Sequence, residues 1–398
     1  MLQTMPPMLP FMLLFGLLYA AFGAASPFLP ALMEARGLSS EQIGLLFGSA
    51  TAVRLLSAPV AGRIADATGA LRATLAFFCV ATALSALGYL WASGFWVLLG
   101  IGLLHAIALA PTTNVADALA VVASRLQGFE YGWVRGAGSA AFIGASVLAG
   151  AAVSRFGLEV TVVLQAGLML AVPLVLVVVP PFVASRLAEP VELDSIWSLF
   201  GLAIFRRVVV AAALILGSHA LHDTFSVIRW TNAGISAQTA SLLWSLAVAA
   251  EVFVFFLAGP WLLKRITSAH AIAIAAIAGA LRWLVSALTL DLTAMVLIQP
   301  LHGVTFALLH LACMRLLAEN VPPQFAATAQ AVYGTLGVGA TSALLTIASG
   351  WLFGAWGSAA FFIMAAICLA ALPVALSIPA VVARPKWPSE PTQTTPSP

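Results

Sequence analysis

Twelve apolar runs, each 20 to 26 residues long, leave this chain few folds to choose from. A helix rises roughly 1.5 Å per residue, so every run is long enough to cross a hydrocarbon core of about 30 Å. Inside that core a backbone must satisfy its own polar groups, which leaves helices or a closed barrel. The runs lack the period-two alternation of a barrel strand. The expected fold class is therefore an all-α membrane protein. Composition agrees: 62% of the residues are hydrophobic and 8% are charged, against about 45–50% and about 25% for soluble domains. The runs cover residues 8–33, 42–65, 73–92, 95–119, 133–154, 160–183, 207–230, 238–263, 270–289, 292–317, 325–350 and 356–381.

The basic residues orient the bundle. Arg63, Arg72, Arg125, Arg186, Arg206, Arg207, Lys264, Arg265, Arg384 and Lys386 fall in connections on one side, and Arg36, Arg155 and Arg229 on the other. Ten against three puts the first side, with both termini, in the cytoplasm. A net charge of +3 spread over short loops gives no nucleic-acid footprint. The first run has no Lys or Arg ahead of it and is too long for a signal-peptide core, so no cleaved leader is expected. Cys79, Cys313 and Cys368 lie in separate runs without metal-ligand spacing and are expected to be free thiols.

The longest polar connection carries Glu189, Pro190, Glu192 and Asp194 between the sixth and seventh runs. It divides the chain into a bundle at 1–185, a cytoplasmic linker at 186–206 and a second bundle at 207–383. A Pro-, Ser- and Thr-rich tail at 384–398 is expected to be disordered. An internal repeat supports that division. A shift of 197 positions lays Gly37-Leu38-Ser39 on Gly234-Ile235-Ser236, Gly62 on Gly259 and Leu104-His105 on Leu301-His302. Two six-helix halves in parallel repeat put a substrate site between them near the bilayer midplane. The same shift sets Arg54 opposite Glu251, so equivalent positions carry opposite charges.

Against so apolar a background each ionisable side chain stands out. Glu251 and Arg282 lie within VAAEVFVFFLAG and AGALRWLVSAL, where an unpaired charge costs about 2.5 kcal/mol or more. They are expected to meet, either as a fixed pair or as a coupling group. The run IQPLHGVTFALLHLACMR holds His302 with Thr305 and Phe306 one turn on, sharing its face. His310, rotated by roughly 80°, borders the same cavity or serves only packing. In the seventh run His219, His222, Asp223 and Ser226 stand at i, i+3, i+4 and i+7, a polar stripe that cannot face lipid. A proton or substrate path is the favoured reading; a metal site is the alternative, and no metal or other cofactor is expected. Mid-run Arg54 calls for an anion, and its planar fork suits a carboxylate. Asp117 and Arg135, nearer the cytoplasmic ends, read equally as a structural salt bridge or as substrate contacts. Trp244 and Trp283 flank the charged residues and suit an aromatic ligand.

The loop Gly62-Arg63-Ile64-Ala65-Asp66-Ala67-Thr68-Gly69 resembles the Gly-x-x-x-Asp-x-x-Gly signature of the major facilitator superfamily, with Ala67 and Ala70 where basic residues are usual. Further matches run through most of the chain: Asp117-Ala118-Leu119-Ala120, Tyr131-Gly132-x-Val134-Arg135, Leu243-Trp244-Ser245-Leu246 with Ala250-Glu251-Val252, Arg282-Trp283, Leu301-His302-x-x-Thr305-Phe306 and Gln330-Ala331-Val332-Tyr333. These resemble the phenylpropionate permease family of proton symporters, and the charged residues are arranged much as in lactose permease. The resemblance implies that Asp117 and Arg135 help bind substrate, that Glu251, Arg282 and His302 handle the proton, and that Gly62, Asp66 and Gly69 belong to a conformational gate. Thr305 stands where lactose permease has a carboxylate, and the stripe in the seventh run departs from the aromatic and small residues of the phenylpropionate permeases.

The expected function is proton-coupled import of a small organic solute, an aromatic or other small carboxylate, by a monomer in a bacterial-type inner membrane. Sugar or nucleoside symport and proton-driven efflux are the alternatives within transport. A membrane-embedded metalloenzyme built on the His219/His222 stripe is the alternative from another class, and a non-transporting sensor a third.

Overall fold

The computed structural model describes residues 6–180 and 193–378. Among them eleven helical stretches are long and apolar enough to cross a membrane: α1 (Leu9–Ala35), α2 (Ser40–Ala65), α3 (Leu71–Gly88), α4 (Phe95–Gln127), α5 (Tyr131–Phe156), α6 (Glu159–Leu176), α7 (Ala203–Asn232), α8 (Ala237–Leu263), α9 (Ser268–Leu288), α10 (Leu292–Asn320) and α11 (Ala326–Leu376). The first ten coincide with the first ten apolar runs. The last two runs form the single 51-residue stretch α11, interrupted at Gly357, where φ is +54°. Without a Cβ, glycine adopts that conformation at little cost. A short turn over Gly357–Ala359 then leads into the helix Ala360–Leu376.

Two differences arise at the expected linker. Residues Leu193–Gly201 are helical and bury Leu199, and α7 starts at Ala203 rather than 207. Arg186, Glu189, Pro190, Glu192 and the tail 384–398 lie outside the described residues, as do the side chains of Asp66 and Asp194.

The repeat seen in sequence has a matching local geometry. Gly37 and Gly234 both take positive φ, +84° and +88°, and two residues later Ser39 and Ser236 each cap the helix that follows. Ser39 accepts from the Gln42 backbone while the Gln42 side chain accepts from the Ser39 backbone. Ser236 accepts from Thr239. Such caps satisfy N–H groups left free at a helix start.

At the end of the bundle that carries Gly37 and Gly234, α2 and α11 meet backbone to backbone. A Cβ at Gly44 would fall 2.6 Å from the Gly350 Cα, and one at Gly48 would fall 2.7 Å from the Ala343 carbonyl. Asn232 donates to Glu34 at 3.1 Å across the same end. At Gly62 and Gly69, toward the other end, an added Cβ would meet nothing within 4 Å. A bulky side chain at Gly44 cannot be housed in this arrangement. Gly44→Leu is expected to lengthen the separation between spin labels placed at positions 34 and 232, and an unchanged separation contradicts this view of the closed end.

Three helices carry widened π-type turns, at Val254–Ala258 in α8, Val304–Leu308 in α10 and Tyr333–Ala340 in α11. Such bulges rotate the following side chains out of α-helical register and are common beside functional sites. Two of them lie within a turn of Glu251 and His302.

Candidate functional site

Glycine brings the two principal helices together. Gly303 in α10 lies so close to α8 that a Cβ there would fall 2.5 Å from the Ala250 carbonyl. That approach puts the side chains next to each glycine-contact residue, Glu251 and His302, within reach: His302 Nε2 lies 3.4 Å from Glu251 Oε2.

The direct Glu251–Arg282 ion pair expected from sequence is not formed among the described residues; His302 stands between them. Arg282, 1% exposed, points one nitrogen at His302 Nδ1, 3.1 Å away. Its other terminal nitrogen reaches His222 Nε2 at 3.3 Å and donates to Gln299 Oε1 at 3.0 Å. A guanidinium only donates, so both contacted imidazole nitrogens accept. Each ring is then neutral and carries its hydrogen on the far nitrogen, an assignment made by the network. For His302 that nitrogen faces Glu251. For His222 it is Nδ1, which donates to Asp223 Oδ1 at 3.2 Å. One buried cation thus serves two carboxylates, each through a histidine: Glu251, His302, Arg282, His222 and Asp223 in line.

Side chains around this line hold its geometry. His219 Nε2 donates to Thr305 Oγ1 at 2.9 Å, because the Thr305 hydroxyl is itself given to the His302 carbonyl. Phe306 stacks on His302, centroids 5.6 Å apart, and Trp244 on His222 at 5.5 Å. Trp283 donates to Ser218 at 2.8 Å and fills the space between His219 and His222. His219 is therefore engaged with Thr305, and His222 with Arg282 and Asp223, and the cation between His222 and His302 is a guanidinium. Among the described residues no three His, Cys, Asp or Glu side chains gather as a metal-ligand set.

Two cavities adjoin the line. One of about 240 Å³ is lined by His219, His222, Trp244, Arg282, His302 and Phe306. The other, about 360 Å³, is lined by Arg54, His105 and Gln165 on one side and by Ala220 and Thr224 on the other. Asp223 borders both, so it joins the larger cavity to the line ending at Glu251.

Asp117 and Arg135 sit with two tyrosines. Tyr131 donates to Asp117 at 2.6 Å, and the Arg135 guanidinium lies over the Tyr19 ring at 4.3 Å. They make no ion pair with each other among the described residues. His310 packs between Phe255 and Tyr333 and lines neither of the two cavities. Gln165 and Gln299 had not been singled out in sequence, although each is a lone amide in an apolar run, a signal of the same kind as a buried charge.

Comparison with known proteins decides what kind of machine this is. The sequence matches the profile described as the MFS_1 like family over residues 9–364. The chain belongs to the major facilitator superfamily. This transporter is 32% identical over 363 residues to the "Probable 3-phenylpropionic acid transporter" of Escherichia coli (strain K12), spanning 89% of this chain and 93% of that protein. Among solved structures, a mutant of the nucleoside transporter NupG superposes with a TM-score of 0.81 at 19% identity, over 93% of this chain and 99% of that one. A bacterial homolog of the human lysosomal transporter Spinster, in an inward-facing and occupied conformation, gives 0.74 at 14% identity, over 93% and 95%. At such identities the structures speak for the fold alone. The transporter is a membrane protein that moves a small substrate and not an enzyme.

Proposed function

We propose that the transporter is a proton symporter importing a small aromatic or other carboxylate by alternating access. The observation that carries this reading is the continuous line from Glu251 through His302, Arg282 and His222 to Asp223, which ends at the wall of a cavity containing Arg54. Arg54 anchors the substrate carboxylate; Trp244, Thr305, Phe306, His219 and His222 shape the adjoining space. An anion arriving on Arg54 sits near Asp223 and draws the guanidinium of Arg282 toward that arm. His302 then loses its hold on the guanidinium, and Glu251, with less cationic support in a poorly hydrated site, takes up the transported proton. The identity with a protein named for 3-phenylpropionic acid supports the substrate class.

The architecture proposed with it is twelve spans in two halves, 1–185 and 207–383, joined by the linker 186–206, with the tail 384–398 and both termini cytoplasmic. The protein works as a monomer in a bacterial-type inner membrane. In that orientation the Gly44–Gly350 contact closes the outer end, so the described state faces inward. Gly62, Asp66 and Gly69 act at the inner gate, and Asp117, Arg135 and His310 meet the substrate on its way to the cytoplasm.

Arg54→Gln tests the anchor. Hydrogen bonds to a charged group contribute about 1.5–3 kcal/mol, so 3-phenylpropionate binding to the purified variant is expected to weaken roughly 10- to 100-fold. Unchanged affinity would remove Arg54 from the site.

A further inference from the structure

The widened turn in α10 changes which face His310 presents. In an unbroken α-helix eight residues rotate a side chain by roughly 80°, which would turn His310 away from His302. The π-type turn at Val304–Leu308 lies between the two and takes up one extra residue. His310 therefore stands where the seventh residue of a regular helix would stand, within roughly 20° of His302 and roughly 10 Å further along α10. Glycine contacts hold α8 against α10 on either side of this segment. A Cβ at Gly303 would fall 2.5 Å from the Ala250 carbonyl, and one at Gly259 would fall 2.6 Å from Leu311 Cδ1.

Between those contacts Glu251 of α8 and His310 of α10 lie within each other's electrostatic reach, and both are partly exposed. Phe255, one turn on from Glu251, meets the His310 ring at 6.3 Å, and Tyr333 of α11 meets it at 6.0 Å. Among the described residues the ring is held by these aromatic contacts alone, so both nitrogens are free to gain or lose a proton. Glu251 is the charged group that acts on it, and Arg135 of α5 acts on Glu251 in turn. In the orientation proposed above α10 runs toward the cytoplasm, so His310 lies on the cytoplasmic side of the Glu251–His302 contact. An imidazole is the side chain best suited to accept and pass on a proton near neutral pH.

We propose that His310 is the proton exit of the transporter, taking the transported proton from the Glu251 carboxyl and giving it to water on the cytoplasmic side. The O–H bond of Glu251 breaks, its electron pair staying on the carboxylate, and an N–H bond forms on the ring. The imidazolium then passes one proton to cytoplasmic water and becomes neutral again. This rests on the reading of Glu251 as the coupling group and deepens it. The proton must leave before the empty transporter returns outward, whereas exchange of bound for free substrate proceeds with the proton in place. Loss of a proton exit therefore slows net import and spares exchange, while loss of a substrate contact slows both together.

The test is the ratio of net downhill import to equilibrium exchange of labelled 3-phenylpropionate in proteoliposomes. His310→Phe keeps the aromatic packing, and His310→Ala opens a space for a small base; ligand-free melting temperature is the control for folding. The ratio is expected to fall about tenfold or more in both variants. Added imidazole is expected to restore it in His310→Ala, and thiazole, of the same shape but far less basic, to restore nothing; the unaltered protein with each additive corrects for effects on the vesicles. An unchanged ratio in the folded variants overturns the proposal while leaving the coupling role of Glu251 standing. A lowered ratio that both additives restore equally, or that neither restores, assigns His310 to packing and overturns the proposal as well. Import by the unaltered protein with no change in external pH overturns it together with the reading on which it rests.

Discussion

Glu251→Gln is expected to stop uphill accumulation of substrate altogether while downhill exchange continues. Glutamine has nearly the same shape and still accepts a contact from His302, so the crossing of α8 and α10 at Gly303 and Ala250 is kept. What disappears is the exchangeable proton. A symporter that cannot release a proton at this position still rocks with substrate bound, but an imposed proton gradient no longer does work on it. Uptake into proteoliposomes with an inside-alkaline gradient is therefore expected to reach only the external concentration, whereas counterflow of labelled substrate stays measurable. Concentrative uptake at the unaltered level would take Glu251 out of the coupling machinery.

The second large effect is expected at Arg282. Its guanidinium holds His302, His222 and Gln299 at once, and it does so with a planar fork whose donors point in fixed directions. In Arg282→Lys a single ammonium retains the charge yet cannot face both imidazoles from one position. At least two hydrogen bonds to a charged group are lost in a buried setting, each contributing about 1.5–3 kcal/mol. Initial uptake rates are expected to fall by about 100-fold or more, and the neighbouring imidazoles lose the donor that fixes their tautomers. A lysine variant transporting at near-normal rate would mean that the histidines are oriented by something other than this fork.

The fold was legible in the sequence for a simple reason: a bilayer demands about 20 apolar residues per crossing, and little else tolerates so many. Gly37 with Ser39 and Gly234 with Ser236 were legible as a repeat because a turn and a helix cap need particular residues at particular spacing. The ionisable groups of the site stood out for the same reason the fold did, since a charge at membrane depth needs a partner. The partner itself was not legible. Spacing places His302, Thr305 and Phe306 on one face, yet whether Arg282 meets Glu251 or a histidine depends on how closely α8 and α10 approach, and that is decided by Gly303 and the adjacent widened turns. Asp117 and Arg135 likewise read as a possible pair in the linear chain, whereas the folded chain gives each an aromatic partner, Tyr131 and Tyr19.

The central claim is that substrate movement and proton movement share the line from Asp223 to Glu251. The most direct measurement is proton uptake recorded with a pH electrode as substrate runs downhill into proteoliposomes without an imposed pH difference. The external medium should turn alkaline in step with substrate entry for the unaltered transporter, and should stay constant for Glu251→Gln although substrate still moves. Substrate entry by the unaltered protein with no accompanying change in external pH would contradict the account.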